Sequence, residues 1–407
     1  MIGIDVCSIS RFQNMNNLDG FLKKYFTTRE IEYIGEGKSK YEHIASIFSL
    51  KEAFVKALGT GFGQINPIDV EIIHNFSKKP NIILHNHNID SLNNIECSVT
   101  HDGGVAIAVV VIEVLIKDYF ENLDKYKILL KNRDIYGHKG TFGKVGIIGG
   151  SVGMCGSVYL SAKSALRSGS GLVYNICPKS ISEILQIKSV ENIILPVDDF
   201  SNGHFVSKSI DEILDKIKNL DALAIGPGMS KNSDNIIILK EIIKNFSNPI
   251  VIDADALVSF KYLLKEFSNR NNIVLTPHAS EFSNLSGYNI DYINNNRNES
   301  SERFLKENQL NSILVLKGKG TIVRNKNNFY INNTGNDGMA TAGSGDCLTG
   351  IILSLLGQKI DAFNCAKLGV FIHGLAADIA SIYVGKDSLI ASDIIKYLPY
   401  AIKQIRR

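Results

Sequence analysis

The spacing of apolar and polar positions divides this chain into a short mixed segment and a long alternating one. Ile2, Ile4 and Val6 alternate with Gly3, Asp5 and Cys7. This predicts a half-buried strand with Asp5 on its polar face, opposite the isoleucines. Residues 43–58, HIASIFSLKEAFVKAL, follow a helical period and stop at Gly59-Thr60-Gly61. Residues 68–74, 97–101 and 105–116 read as strands, the last two joined as a hairpin through His101-Asp102-Gly103-Gly104. Residues 118–136 alternate in charge without Gly or Pro and predict a helical or extended connector. Beyond them, short apolar runs at 144–150, 171–177, 220–225, 249–252, 273–276 and 312–317 read as strands. Helical patterns at 157–168, 181–187 and 236–245 separate some of them, so a parallel α/β sheet is expected.

The chemistry gathers at the ends of those strands, where open α/β sheets bind ligands. Gly226-Pro227-Gly228, Asp253-Ala254-Asp255, Pro277-His278 and Gly318-Lys319-Gly320-Thr321 all lie just past a strand. The strongest feature is Ala342-Gly343-Ser344-Gly345-Asp346, followed by Leu348, Ile351, Ile352, Leu355 and Leu356 at helical spacing. A glycine turn feeding a buried helix aims unpaired N–H groups at one point and favours an anion there. Asp346 is then either a base facing a hydroxyl or an N-cap. Lys317 is either a phosphate counter-charge or a surface lysine. His278 is either a ligand or a loop histidine satisfied by backbone. Asp253 and Asp255 either bind Mg²⁺ through water or cap their turn. Glu52 and Lys56 share a helix face, which ordinarily gives a solvated ion pair.

Two nucleotide motifs are excluded. GGSVGMCGS lacks the P-loop lysine, and Glu32 stands where a P-loop ending at Gly37-Lys38-Ser39 needs its first glycine. Ser168-Gly169-Ser170-Gly171 fails the dinucleotide spacing at Tyr174.

With 407 residues, 44% of them apolar, the chain can bury two or three cores. A net charge of +3 gives no argument for nucleic acid. Cys7, Cys97, Cys155, Cys177, Cys347 and Cys365 form no C-x-x-C pair and read as free thiols in a reducing compartment. The start lacks a signal-peptide pattern, and the apolar run 105–116 carries Glu113 and is too short for a bilayer. A cytoplasmic protein without a membrane partner is expected.

Three blocks, GIDV, FSLKEAFVKALGTG and SVTHDGGVAIAVV, resemble the holo-acyl-carrier-protein synthase family over residues 1–117. The resemblance implies a small α+β phosphopantetheinyl-transferase domain. It would move 4′-phosphopantetheine from coenzyme A (CoA) to acyl carrier protein and assemble as a trimer. It also implies Asp5 and Glu52 as Mg²⁺ ligands, Lys56 on phosphate and His101 lining the CoA site. Ile47 stands where the family usually has Arg, and Lys78-Lys79-Pro80 replaces Gly-Lys-Pro.

After a connector at 118–136, residues 137–407 are similar to the ADP/ATP-dependent NAD(P)H-hydrate dehydratase family. The matching blocks are HKGTFGKVGIIGGS, ALRSGSGLV, IGPG, DADAL, TPHASEF, LKGKGT and NTGNDGMATAGSGDCLTG. This implies a three-layer α/β domain of ribokinase-like fold that repairs hydrated NADH and NADPH with ADP or ATP. Ser157, Gly228, His278 and Asp346 would contact the hydrated cofactor. Lys317, Gly318, Lys319, Gly320, Thr321 and Gly345 would hold the nucleotide. Asp346 would be the base, with the N–H groups of Gly343, Ser344 and Gly345 facing the transferred phosphoryl group. Ser157 stands where the family more often has Ala, and Asp337 where it often has Pro. The competing reading is a small-molecule kinase of the same fold with a non-catalytic, trimerising first domain. The HKG-x-[FY]-G opening and the N-x-x-GN-x-GMA run argue against it. No epimerase segment is visible, so a separate epimerase or spontaneous epimer exchange is expected.

Overall fold

The computed structural model describes residues 1–59, 61–63, 65–75, 79–85, 95–112, 123–130 and 132–406. Thr60, Lys78, residues 113–116 of the expected last strand and residues 117–122 lie outside that set. The chain divides into two compact units, Met1–Phe120 and Glu121–Arg407.

The first unit wraps the helix Lys40–Leu58 in β-structure. Strands β1 (Ile2–Ser8), β4 (Ile95–Asp102) and β5 (Val105–Ile112) form an antiparallel sheet in the order β1-β5-β4. Strands β2 (Val70–His74) and β3 (Pro80–Leu84) pair separately. The period of β1 is the expected one, but its sense is reversed. Cys7 is buried and Asp5 is turned inward, whereas Ile2, Ile4 and Val6 are 68%, 55% and 59% exposed. The helix causes this. A Cβ on Gly3 would lie 1.9 Å from the Ala53 carbonyl oxygen, so only small residues fit where strand and helix backbones touch. Ala106 and Ala108 line the same face of β5. The large β-branched side chains are left on the outer face, with Ile107 and Val111 beside them.

The core of this unit is closed by a buried ion pair. Lys51 Nζ lies 2.7 Å from Glu30 Oε2 and donates to the carbonyls of Tyr25 and Pro67. Both side chains are fully enclosed, and these bonds satisfy the lysine's donors.

The second unit is built on a nine-stranded sheet. Its strands are β6 (Lys144–Ile148), β7 (Leu172–Pro178), β8 (Ile193–Val197), β9 (Ala222–Ile225), β10 (Ile250–Ile252), β11 (Ile273–Leu275), β12 (Ile313–Leu316), β13 (Ile322–Arg324) and β14 (Phe329–Ile331). Their order is β14-β13-β12-β11-β10-β9-β6-β7-β8. β6 through β12 run parallel, but β13 and β14 pair antiparallel at one edge. The all-parallel expectation is corrected there. Residues 317–321 are too few for a crossover, so the chain can only turn back.

Helices cover both faces. Ile148, Ile176, Ile225, Ile252, Leu275 and Leu316 pack with side chains of the helices Asp234–Asn245, Asp255–Phe260, Ala279–Ser286 and Arg297–Glu307. The helices Cys155–Arg167, Ser344–Gly357, Ala362–Val384 and Ala391–Arg406 form the opposite layer. The first two meet almost backbone to backbone: a Cβ on Gly350 would lie 2.0 Å from the Ser161 carbonyl oxygen. Ala362–Val384 is the one described helix long and apolar enough to cross a membrane, yet 83% of its most apolar window is buried inside the unit. Its apolar character is that of a core helix.

Candidate active sites

In the second unit the chain winds outward from β6 in both directions, first to β7 and β8, then to β9 and beyond. The crevice between β6 and β9 is therefore the switch point where such sheets take ligands. Glycines shape it. Gly150 N–H donates to the Pro227 carbonyl at 2.8 Å, and a Cβ on Gly149 would lie 2.3 Å from that oxygen. Gly228 has φ +63°, and a Cβ there would meet the Met154 carbonyl at 2.7 Å and Ser157 Cβ at 3.3 Å.

Asp346 projects into this crevice from the first turn of the helix Ser344–Gly357. Gly343 is the N-cap residue, at φ 84°, and no side chain caps the helix. The N-cap alternative for Asp346 is thereby removed. Burial pushes its carboxyl up to about 7, with the charges of Asp253 and Glu281 in the same direction. A hydrogen bond from Ser157 and the charge of Lys317 oppose the shift. The result is a carboxyl whose proton affinity is raised toward neutrality.

Asp253 is the fixed charge beside it. Its Oδ1 accepts from Lys317 Nζ at 2.9 Å and from Thr276 Oγ1 at 2.8 Å; its Oδ2 accepts from Thr349 Oγ1 at 2.7 Å. Burial works against its charge, but Lys317, Thr349 and Thr276 outweigh that and hold its carboxyl below the usual range. Asp253 is the counter-ion of Lys317. Ala254, at φ 48°, is a strained non-glycine residue that separates the two aspartates. Asp255 is the first residue of the helix Asp255–Phe260 and accepts a backbone hydrogen bond from Ser230.

Lys317 is not a surface lysine: its side chain is 17% exposed. Burial opposes its charge, but Asp253, Glu281 and Asp346 reinforce it more strongly. A Cβ on Gly345 would lie 3.1 Å from Lys317 Nζ, so the glycine turn and the ammonium are in contact. His278 caps the helix Ala279–Ser286. Its Nδ1 accepts from Glu281 N–H at 3.3 Å, and its own N–H donates to Glu281 Oε2 at 2.8 Å. Its side chain stays half-exposed, and Glu281 also reaches to 3.7 Å from Lys317. In the next loop Thr321 Oγ1 donates to the Gly318 carbonyl at 2.9 Å, which closes Gly318, Lys319 and Gly320 into a turn with Lys319 exposed.

Ser157, Gly228, Lys317, Gly345 and Asp346 thus meet in one crevice, with His278 joined to them through Glu281. Gly318 to Thr321 follow directly from Lys317. Sequence reasoning missed Glu281 and Arg297. Arg297 Nη2 donates to the carbonyls of Leu316 and Lys317 at 2.8 and 3.2 Å and so clamps the end of β12. The signal for Glu281 was present in TPHASEF, three residues after the capping histidine. Arg297 lies within the polar stretch RNESSERFLKE, and no spacing rule distinguishes it there.

In the first unit Lys56 Nζ lies 2.6 Å from Asp5 Oδ1. The expected solvated pair of Lys56 with Glu52 is replaced by this contact across to β1. Burial raises the proton affinity of Glu52, and the charge of Asp5 adds to it; Lys56 and Arg11 counter both. Two carboxylates close enough to repel, with an ammonium resting on one, suit a hard divalent cation. His101 shares their side of the sheet: it pairs with Ala106 across β4 and β5, and Ala106 pairs with Cys7. Among the described residues no hydrogen bond or ion pair joins His101 to Asp5 or Glu52. Ile47 is buried in the core, so an arginine at that position would have to bury its guanidinium there.

Comparison with known proteins agrees with this division. Residues 145–400 match the family model for NAD(P)H-hydrate dehydratase, and residues 1–110 that of the 4′-phosphopantetheinyl transferase superfamily. A bifunctional NAD(P)H-hydrate repair enzyme Nnr from Moorella thermoacetica is 36% identical over 278 residues, 68% of this chain and 52% of that protein. The chain spans about half the length of the curated relatives it matches. Among solved structures, a ribokinase-like superfamily protein from Enterococcus faecalis superposes with a TM-score of 0.61 at 24% identity, covering 70% of this chain and 95% of that one. The ADP/ATP-dependent NAD(P)H-hydrate dehydratase from Bacillus subtilis, co-crystallised with ATP and Mg²⁺, gives 0.58 at 25% identity, covering 70% and 97%. The second unit therefore has the ribokinase-like three-layer α/β fold.

Proposed function

The chain belongs to the NAD(P)H-hydrate dehydratase family, and from that premise we propose that residues 137–407 dehydrate hydrated NADH and NADPH using a phosphate of ADP or ATP. The observation that carries this is Asp346. It is a carboxylate poised near neutrality, beside a fixed ammonium and an uncapped glycine turn. Asp346 takes the proton of the ring hydroxyl as that oxygen attacks the terminal phosphorus. The bond from that phosphorus to the bridging oxygen breaks, and the shortened nucleotide leaves. The N–H groups of Gly343 and Gly345, with Lys317, meet the charge on the phosphoryl oxygens; the Ser344 N–H, expected to join them, instead donates to the Thr341 carbonyl at 3.3 Å. The ring nitrogen's electron pair then expels phosphate from carbon, and loss of a proton from the neighbouring carbon restores the double bond. Ser157, Gly228 and His278 hold the nicotinamide side. Lys317 to Thr321 and Gly345 hold the nucleotide, and Arg297 fixes the strand end that presents them.

The test is to incubate the protein with hydrated NADH, Mg²⁺ and either ADP or ATP. Reduced-nicotinamide absorbance should return only with nucleotide, and the two arms reveal which nucleotide is used. A stable phosphoester without recovery of absorbance assigns a kinase instead. Because the base must be ionised, kcat should rise as pH increases through about 7 and level off above it. A rate flat from pH 5 to 9 would remove Asp346 from the proton transfer.

For residues 1–117 we propose 4′-phosphopantetheine transfer from CoA to acyl carrier protein. Asp5 and Glu52 would hold Mg²⁺, which when bound offsets the charge of the CoA pyrophosphate. Lys56 serves a CoA phosphate, and His101 lines the CoA cleft. Residues 118–136 would link the two activities, but from Glu121 on as a part of the second unit rather than a free connector: Tyr126 is buried there, stacked on Phe371. The exposed row Ile2, Ile4 and Val6, with Ile107 and Val111, is the surface on which copies of this unit associate, as a trimer. Ile4→Glu should convert the assembly to monomers in sedimentation velocity; wild type sedimenting as a monomer at micromolar concentration overturns the assignment. Six free thiols suit a cytoplasmic location.

A further inference from the structure

The helix Ala362–Val384 supplies no residue to the reaction proposed above, yet it buries two polar side chains directly behind the site. His373 and Asp378 are 7% and 9% exposed in an otherwise apolar helix. Asp378 accepts from Gly335 N–H at 2.7 Å and from Asn336 Nδ2 at 2.8 Å. Thr334 Oγ1 donates to the Phe371 carbonyl at 3.0 Å, and a Cβ on Gly374 would lie 2.2 Å from that oxygen of Thr334. The loop 334–336 is therefore sewn to this helix.

His373 does the same for the glycine turn. Its Nε2 lies 3.4 Å from Ser344 Oγ, and the ring also hydrogen-bonds the Ser344 backbone. Burial and the charge of Lys317 push the imidazole down to about 4, so it is neutral at any working pH. A neutral imidazole brings one donor and one acceptor, both of which are costly to bury unless used. A leucine would pack here without that cost. Ser344 opens the helix Ser344–Gly357, which begins at a left-handed glycine and has no side-chain cap. The first-turn N–H groups are thus not held by the usual device, and His373 is the side chain that reaches this turn from behind.

We infer that His373 is a positioning residue: it holds Ser344 so that the glycine turn meets the terminal phosphate of the nucleotide. This rests on the nucleotide-handling reading of the second unit, though not on the identity of the phosphoryl acceptor. The turn would touch a phosphate that ATP has and AMP lacks. General loosening of the core would weaken both nucleotides alike, whereas loss of the turn's geometry weakens ATP alone.

The experiment measures Kd for ATP and for AMP by titration calorimetry, with thermal unfolding of each variant as control. His373→Ala should raise Kd for ATP about 5–10-fold, the effect of one hydrogen bond, with AMP unchanged. His373→Asn, which can still donate or accept, should recover part of the loss. Where His373→Ala does not fold, Ser344→Ala removes the same bond from the other side and should show the same loss confined to ATP. A foldable double variant should fall no lower than either single one. An unchanged ratio of ATP to AMP affinity in whichever single variant folds overturns the inference. Wild type that binds ATP but leaves hydrated NADH untouched defeats only the dehydratase reading. Wild type that binds neither nucleotide overturns both.

Discussion

Asp346→Asn is expected to lower kcat for hydrated NADH by about 10²–10⁴-fold, the range for losing a positioned general base. Nucleotide affinity should stay close to wild type, because the N–H groups of the turn and Lys317 remain. The same variant should be more stable than wild type, and the sign follows from linkage. Burial pushes the carboxyl of Asp346 up to about 7 in the folded chain, against 3.8 for an unperturbed aspartate. Well below pH 3.8 both states are protonated and the residue costs nothing. As pH rises toward 7 the unfolded chain ionises first, so stability falls; above 7 the loss is complete. Asparagine carries no such penalty. Its advantage should be absent at about pH 3, grow to neutrality and then stay level, on the order of 1–3 kcal/mol given that the group is partly accessible. Thermal unfolding at pH 5 and pH 8 reads this directly. A variant that is inactive but no more stable at pH 8 would leave Asp346 as the base while denying that its environment raises its pKa. A variant with full kcat would end the proposed mechanism.

Asp5→Ala should abolish transfer of phosphopantetheine to acyl carrier protein while hydrated NADH is still repaired by the same preparation. The second activity controls for the amount of intact second unit, and circular dichroism against wild type checks the fold of the first. Asp5 meets Lys56, whose side chain is half exposed, and such pairs contribute only about 0–1 kcal/mol, so the first unit should keep its structure. Glu52→Ala should behave alike. Mass spectrometry of the carrier protein after incubation with CoA and Mg²⁺ checks both. A full mass gain with either variant removes that carboxylate from the metal site. No gain with wild type, tried on the organism's own carrier protein, makes the first unit a scaffold.

Much of this architecture is legible in the sequence because it follows local rules. Parallel strands buried on both faces are short apolar runs, and their ends are written in glycine, proline and aspartate. Asp346 at the start of its helix is visible from Gly343 and the apolar spacing behind it. What the sequence hides depends on partners distant along the chain. Alternation in β1 shows that one face differs from the other, but not which one the helix covers. That choice rests on Gly3 against Ala53. The edge strands β13 and β14 are three residues each, too short for a period. Lys317 looks like any strand-end lysine until Asp253 is seen opposite it, 64 positions away. His373 and Asp378 were a further hint that went unused, since polar groups within so apolar a helix call for a reason.

The strand order also sets a timetable for folding. β6 is the first strand of its sheet to be made, yet it sits between β7 and β9, and its face is covered by helices from the far end of the chain. Ser161 and Asp346 hydrogen-bond across 185 positions. During synthesis, the strands up to β14 can leave the ribosome while one side of the sheet is covered only by the helix Cys155–Arg167. That side is closed only when Ser344–Gly357, Ala362–Val384 and Ala391–Arg406 arrive. Contacts of such long range form slowly, and a waiting apolar face is prone to wrong partners. Asp346, the glycine turn proposed to meet the phosphate and the helix behind them all belong to that final portion. A chain cut short before residue 344 lacks Asp346 and the helices that close this face of the sheet together.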